Sequence, residues 1–273
     1  CSRFCSGRDI FSRIFSWNRG IFMSETLSVK TRCGLSGTAL KYIACITMLI
    51  DHIGASCIEA GILRPALDAG TLSADALASA PLYQLDRVLR FTGRLAFPIF
   101  CFLLVEGFVH THDVKKYLGR MVLFGLVSEI PYDLAFFRSP FDPSQQNVYW
   151  TLALGVLAMA GLKRFETQSG AVGWQGYVCA GGCALAALLA NTDYNAIGVI
   201  IICALYLTRR DRKRQCIIGA VLFAFELTAP LAFLLIWFYN GQRGKCGKAL
   251  QKCFYGFYPV HIALLALITN CLL

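Results

Sequence analysis

The chain has 273 residues, 56% of them hydrophobic and 15% charged, with a net charge of +10. That balance excludes an ordinary soluble domain, because the apolar residues gather in blocks long enough to cross hydrocarbon. It also excludes the nucleic-acid reading of a basic chain: 21 of the 26 Lys and Arg fall in alternate loops between apolar blocks, which is the positive-inside pattern of a membrane protein.

In chain order, residues 1–39 read as a basic, poorly ordered amino-terminal segment and 40–273 as a single transmembrane domain. Within the first segment, 1–22 carry four Arg and one Asp, and Met23 follows. They are either an upstream extension of the reading frame or a basic lead-in lying at the membrane surface. The first span is 40–62. Near its midpoint stand Asp51 and His52, side by side. Ionisable groups at that depth cost several kcal/mol unless they face a protein interior or a wet cavity, so they mark a functional site.

The stretch 63–93, with Pro65, Pro81 and three Asp, reads as a loop holding a short interfacial helix. Spans follow at about 94–112, 118–138 (interrupted by Pro131), 147–165, 172–190 and 196–208. Residues 216–239 are either one span or a hairpin of two short helices turning at Glu226–Pro230, and the final span is about 254–272. The hairpin gives nine spans and puts both basic loops, 209–214 and 243–252, on the side of the amino end. A single span gives eight and places four cations of the second loop opposite. The charge split therefore favours an all-α bundle of about nine spans with a cytoplasmic amino end.

Chemistry is concentrated in few residues. Glu106 and His110 are four apart on one helix face, as are Glu129 and Asp133. Asp51 and His52 diverge by ~100° on a helix and so address different neighbours. Three of the four His, at 52, 110 and 112, lie within or at the ends of acid-bearing spans, and His261 lies in the last span. The plain alternative is that these groups pair with one another and lock the bundle. Glu106 and His110 also have metal-ligand spacing, but no clear His pair completes a ligand set, so no metal is expected. The 13 Cys lack a C-x-x-C pair and read as small buried hydrophobes. The Gly-flanked basic loop Tyr239-Asn-Gly-Gln-Arg-Gly-Lys245 could cradle phosphate with backbone N–H groups and cations.

Leu40-Lys-Tyr-Ile-Ala44, Met48–Gly54 with its Asp-His pair, Gly93-Arg-Leu-Ala-Phe-Pro98, Val105–Thr111, Ser128–Phe136, Tyr239–Gly244 and Phe254–His261 resemble, in this order, the motifs of the TraX family. The resemblance implies a multi-pass inner-membrane protein. The family's namesake acetylates the amino terminus of a conjugative pilin subunit, and the family is distantly similar to transmembrane acyltransferases that use acetyl-CoA. On this basis the chain is expected to move an acetyl (acyl) group from acetyl-CoA to an amine or hydroxyl, such as a pilin-like subunit or envelope component. His52 is expected as base or transient acyl acceptor, with Asp51 or Glu106 orienting an imidazole. His261 is the second-choice base, and His110 and Glu129 complete the candidate set. Tyr239, Asn240, Arg243 and Lys245 are expected at the CoA phosphates. Arg94 falls on the outer side by the charge split and is not expected at CoA. The rival readings are a proton-coupled transporter, in which the same groups form a relay, and a noncatalytic membrane scaffold.

Overall fold

A computed structural model describes residues 34–244 and 247–271, so the expectations about residues 1–33 and Lys245 lie outside the described residues. The described residues are helical, with no strand and only isolated bridges between loops. Chain breaks fall where capping chemistry predicts. Ser36, Asp113, Asn147 and Asp211 each accept a backbone N–H in the first turn of the helix they precede, satisfying donors that the helix cannot. Asp113 is exposed, and the Lys116 N–H holds its carboxyl below the usual range.

The first helix, α1 (Gly37–His52), runs without a break into a π-helix (Ile53–Leu63) and then α2 (Arg64–Asp68), a rod of 32 residues. The wider π turn begins directly after His52, at Gly54, Ala55 and Ser56, all buried. A methyl on Gly54 would sit 2.8 Å from Asp86 Oδ1. The small side chains thus allow a second rod to approach closely. Ser56 Oγ donates to the Ala135 carbonyl at 2.9 Å and lies 2.8 Å from Thr269 Oγ1, tying the π segment to two further helices.

After a single turn, α3 (Ala74–Leu77), the second rod begins. It comprises α4 (Pro81–Gly93) and α5 (Ala96–Val109), 29 residues in all. This corrects the expected loop 63–93: the second span starts at Pro81, not at 94. Proline is favoured at a helix start. Asp86 and Arg90, which read as loop, and Arg94 at the expected start of the span are spaced i, i+4, i+8 and form one stripe of a helix.

The remaining elements are α6 (Val114–Phe136), α7 (Val148–Arg164), α8 (Trp174–Leu189), α9 (Asn195–Leu207), α10 (Arg212–Leu222), α11 (Ala232–Trp237, entered by a 3-10 turn) and α12 (Lys248–Cys271). Segment 216–239 is the hairpin of two short helices. Its base is fixed by Arg212, which donates to Glu106 Oε1 at 3.3 Å and stacks over Phe102 and Tyr239. At its tip Thr228 Oγ1 donates to the Phe91 carbonyl at 2.6 Å, partway along the second rod. The two ends of the hairpin therefore lie at one end of the bundle. The same end holds Leu35, whose N–H donates to the Phe238 carbonyl at 2.8 Å, and Glu166, which takes Arg209 at 2.6 and 2.7 Å.

Among the described residues, three helices are long and apolar enough to cross a membrane: Gly37–Asp68, Pro81–Val109 and Cys253–Cys271. Leu126, Ile130, Val178, Leu189, Leu227, Leu234 and Val260 are each more than half exposed, on four different helices and the hairpin tip. An apolar surface of that extent needs lipid against it. The protein is a helical membrane protein.

The hairpin geometry predicts that Lys213→Cys and Gln242→Cys, in a background without native cysteines, react with an impermeant maleimide from the same side of the membrane. Thr71→Cys, on the loop beyond α2, is expected to react from the other. Labelling of 213 and 242 from opposite sides would contradict this arrangement.

Candidate functional site

Three turns of the chain converge on the waist of the two long rods. They are the start of α7, the α8–α9 turn and the hairpin tip. Each turn is built to stay in place. Asn147 caps α7 and donates to the Gly125 carbonyl at 2.9 Å and to Glu129 Oε2. The α8–α9 turn holds Asn191, Tyr194 and Asn195 at positive φ (48°, 61° and 45°). A non-glycine residue in that region costs about 1–2 kcal/mol, which bonds from Thr151 to Thr192 and to the Asp193 carbonyl offset. The Tyr194 ring stacks on Phe97 with centroids 3.6 Å apart.

Between the turns and the rods lies a cavity of about 250 Å³. Asp51, His52, Arg90, Arg94, Asp193 and Tyr194 line its polar part. Met48, Phe97, Phe100 and Leu152 line its apolar part. Glu59, Arg64, Phe137 and Gln145 also line it, at the end farther from Gly37. The first rod thus supplies both the floor and one side of the mouth.

Asp51 and His52 do turn to different neighbours. Asp51 Oδ2 accepts from Arg90 Nη1 at 2.5 Å, joining the two rods. Arg94, one turn on, donates to Glu226 Oε1 at 2.8 Å, joining the second rod to the hairpin tip. His52 Nδ1 lies 2.7 Å from His261 Nε2 of α12, the rings nearly coplanar at 6° with centroids 5.0 Å apart, an edge-to-edge contact. His261 Nδ1 lies 2.6 Å from the Phe257 carbonyl. Two residues before His261, Pro259 supplies no N–H for the Tyr255 carbonyl, and the Tyr149 hydroxyl donates there instead at 3.2 Å.

Of the residues singled out in the sequence, Asp51 and His52 meet at the cavity, and His261 stands directly behind His52. Glu106 and His110 do not join them. Glu106 pairs with Arg212 at the hairpin base, and the His110 ring bonds the Glu106 carbonyl at 2.8 Å as α5 ends. Glu129 accepts from Asn147 and from Trp150 Nε1 (3.0 Å) and braces the start of α7.

Tyr239, Asn240 and Arg243 form a clasp on the beginning of α1. The Asn240 N–H donates to the Leu35 carbonyl at 2.9 Å, and the Gln242 and Arg243 carbonyls accept the Gly37 and Thr38 N–H groups at 2.8 and 2.9 Å. The Gln242 N–H is taken by Asn240 Oδ1 at 2.9 Å. This clasp is about 20 Å from His52 along α1, fourteen residues at 1.5 Å each.

Arg90, Asp193 and Glu226 were not singled out in the sequence, and Arg94, expected away from CoA, lines the cavity and holds Glu226. The signal was present in the i, i+4 spacing of Arg90 and Arg94 just before an apolar run. It was hidden by reading 63–93 as a loop.

The fold and site together define a helical membrane protein with a charged, imidazole-bearing cavity at the waist of its bundle. Comparison with known proteins gives the family: residues 36–269 match the model described as TraX protein, and the chain belongs to the TraX family. It is also 30% identical over 251 residues to a probable fimbrial assembly protein FimC, serogroup H1, of Dichelobacter nodosus, covering 84% of this chain and 94% of that one. No solved structure matches the chain.

Gly93 is where the site tests itself sterically. A methyl there would sit 2.1 Å from Asp51 Cβ and 2.4 Å from its Oδ1, whereas one on Gly119 meets nothing within 4 Å. Gly93→Ala is expected to destabilise the protein by about 1–3 kcal/mol, the usual cost of overpacking. Gly119→Ala should leave it unchanged or up to ~1 kcal/mol more stable, by helix propensity. Unfolding in detergent checks this; equal stability of the two variants would contradict the packing of Asp51 on Gly93.

Proposed function

We propose that this chain is an acyltransferase of the cytoplasmic membrane, moving an acetyl group from acetyl-CoA to an amine or hydroxyl of an envelope substrate. The observation that carries this reading is the position of His52: an imidazole on the wall of a half-open cavity, backed by a second imidazole, beside two guanidinium groups. Acyl transfer needs a base for the acceptor's proton and donors for the developing oxyanion. In this reading the acceptor attacks the thioester carbonyl while His52 takes its proton. The tetrahedral oxyanion is held by Arg90 or Arg94, whose guanidinium groups each carry five N–H donors, more than one carboxylate partner uses. Collapse breaks the carbon–sulfur bond, and the departing thiolate takes the proton back from His52. Asp51 fixes Arg90 and so shapes the donor side, in place of orienting an imidazole.

The acceptor follows from the relative named for fimbrial assembly: we assign this chain a subunit of a surface fibre, or another envelope component, as acceptor. The reading keeps the amino end and the basic loops on the cytoplasmic side, with nine helical passages counted through the hairpin. Arg243 then lies where CoA is available, and the mouth at Glu59 and Arg64 faces outward, where an envelope acceptor would enter. Donor and acceptor thus approach the waist from opposite ends of the bundle.

His52→Gln keeps most of the side chain's volume and some hydrogen-bonding capacity but cannot take up the proton. Transfer of labelled acetyl from acetyl-CoA to a panel of amine and hydroxyl acceptors is expected to fall by roughly 10²–10⁴-fold, the usual weight of general acid–base catalysis, in protein that still inserts and folds. Near-normal transfer by this variant would remove His52 from the chemistry.

A further inference from the structure

The two imidazoles form a directed chain. A carbonyl oxygen can only accept a hydrogen bond, so the Phe257 carbonyl, 2.6 Å from His261 Nδ1, takes the proton on that nitrogen. A neutral imidazole carries one ring proton. With Nδ1 protonated, His261 Nε2 presents a lone pair, and it faces His52 Nδ1 at 2.7 Å. The proton between the rings therefore sits on His52 Nδ1, which leaves His52 Nε2 bare. His52 lines the cavity, whereas His261 is 4% exposed and is not among the lining residues.

The fixed end of the chain is set by backbone. Phe257 and His261 are one turn apart on α12, and the Phe257 ring stacks on His261 with centroids 4.7 Å apart. On the other side, Phe136 and Tyr258 pack edge-on against the His52 ring at 5.5 and 5.8 Å. The direction of the chain follows from one carbonyl.

We infer that His261 is a positioning residue: it holds His52 in the Nδ1–H tautomer, so that the Nε2 lone pair is available to take the acceptor's proton. This rests on the acyl-transfer reading and reassigns His261, whose two nitrogens are both engaged, from second-choice base. During transfer the acceptor's proton passes to His52 Nε2 and then to the departing thiolate. The Nδ1 proton stays between the rings, and His261 neither gains nor loses a proton. The role is that of the group behind a catalytic histidine that fixes its tautomer.

The test uses the full chain in lipid nanodiscs, labelled with nitrogen-15 at histidine only. With four histidines in the sequence, single substitutions assign every ring. Nitrogen shifts report which ring nitrogen carries the proton. In the wild type, His52 and His261 are both expected as Nδ1–H with bare Nε2. His261→Leu removes the acceptor, and His52 is expected to move towards Nε2–H. In parallel kcat should fall on the order of 10²-fold while KM for acetyl-CoA stays within about twofold, as expected when a base presents the wrong nitrogen. His261→Gln places an amide oxygen near the former Nε2 and should restore both the tautomer and most of the rate.

A wild-type His52 found as Nε2–H overturns the inference. So does a His261→Leu variant whose His52 tautomer is unchanged, or one whose tautomer switches without loss of kcat. If the Leu variant does not fold, the wild type and the Gln variant decide, since both must show His52 as Nδ1–H. If the wild type transfers nothing, the acyl-transfer reading fails, and the spectra alone still decide the direction of the chain.

Discussion

A carboxylate held inside a membrane bundle needs a cation, and the Asp51–Arg90 bond is where that requirement shapes this protein. It joins the two longest helices at their waist, with Gly93 leaving room for the carboxylate. Arg94, one turn along, repeats the arrangement with Glu226 and brings the hairpin tip to the same level. Removing one partner of a buried pair costs about 3–5 kcal/mol, because a charge is left without compensation. The exposed pairs, such as Lys116–Asp113 and Arg214–Asp211, contribute about 0–1 kcal/mol each. The architecture around the cavity thus depends on two side chains of one helix stripe far more than on the many surface charges.

Because Asp51 is committed to Arg90, His52 is left to a different partner, and the order of residues along α1 separates structure from chemistry. The carboxylate closes the rods, and the adjacent imidazole reaches α12 and the cavity. The π-helix begins at the next residue. Gly54, Ala55 and Ser56 let the second rod and α12 approach, which places Arg90 and His261 within reach of two consecutive side chains.

Much of this was legible in the sequence. The apolar blocks, the divergence of Asp51 and His52 on a helix and the hairpin at 216–239 all follow from hydropathy, helical geometry and the distribution of Lys and Arg. Three things were not. The loop reading of 63–93 weighed Asp86 and Arg90 as solvent-seeking, because local polarity does not reveal that a partner stands opposite. Glu106 and His110 share a helix face, yet a shared face does not say which end of the bundle it reaches, and theirs is the hairpin base. The basic loop at Tyr239–Gly244 also clasps the start of α1 through several of its backbone groups, a pairing of residues some 200 positions apart that no local pattern contains.

The central claim is that the cavity at the waist is where an acyl group meets His52. The most direct measurement is a cryo-electron microscopy structure of the protein in lipid with a non-transferring thioether analogue of acetyl-CoA. The account predicts the acetyl carbonyl carbon in the cavity, with room for an acceptor atom ~3–3.5 Å from both that carbon and His52 Nε2, the spacing of a near-attack geometry. An analogue bound with its acetyl group outside this cavity, remote from His52, would contradict it.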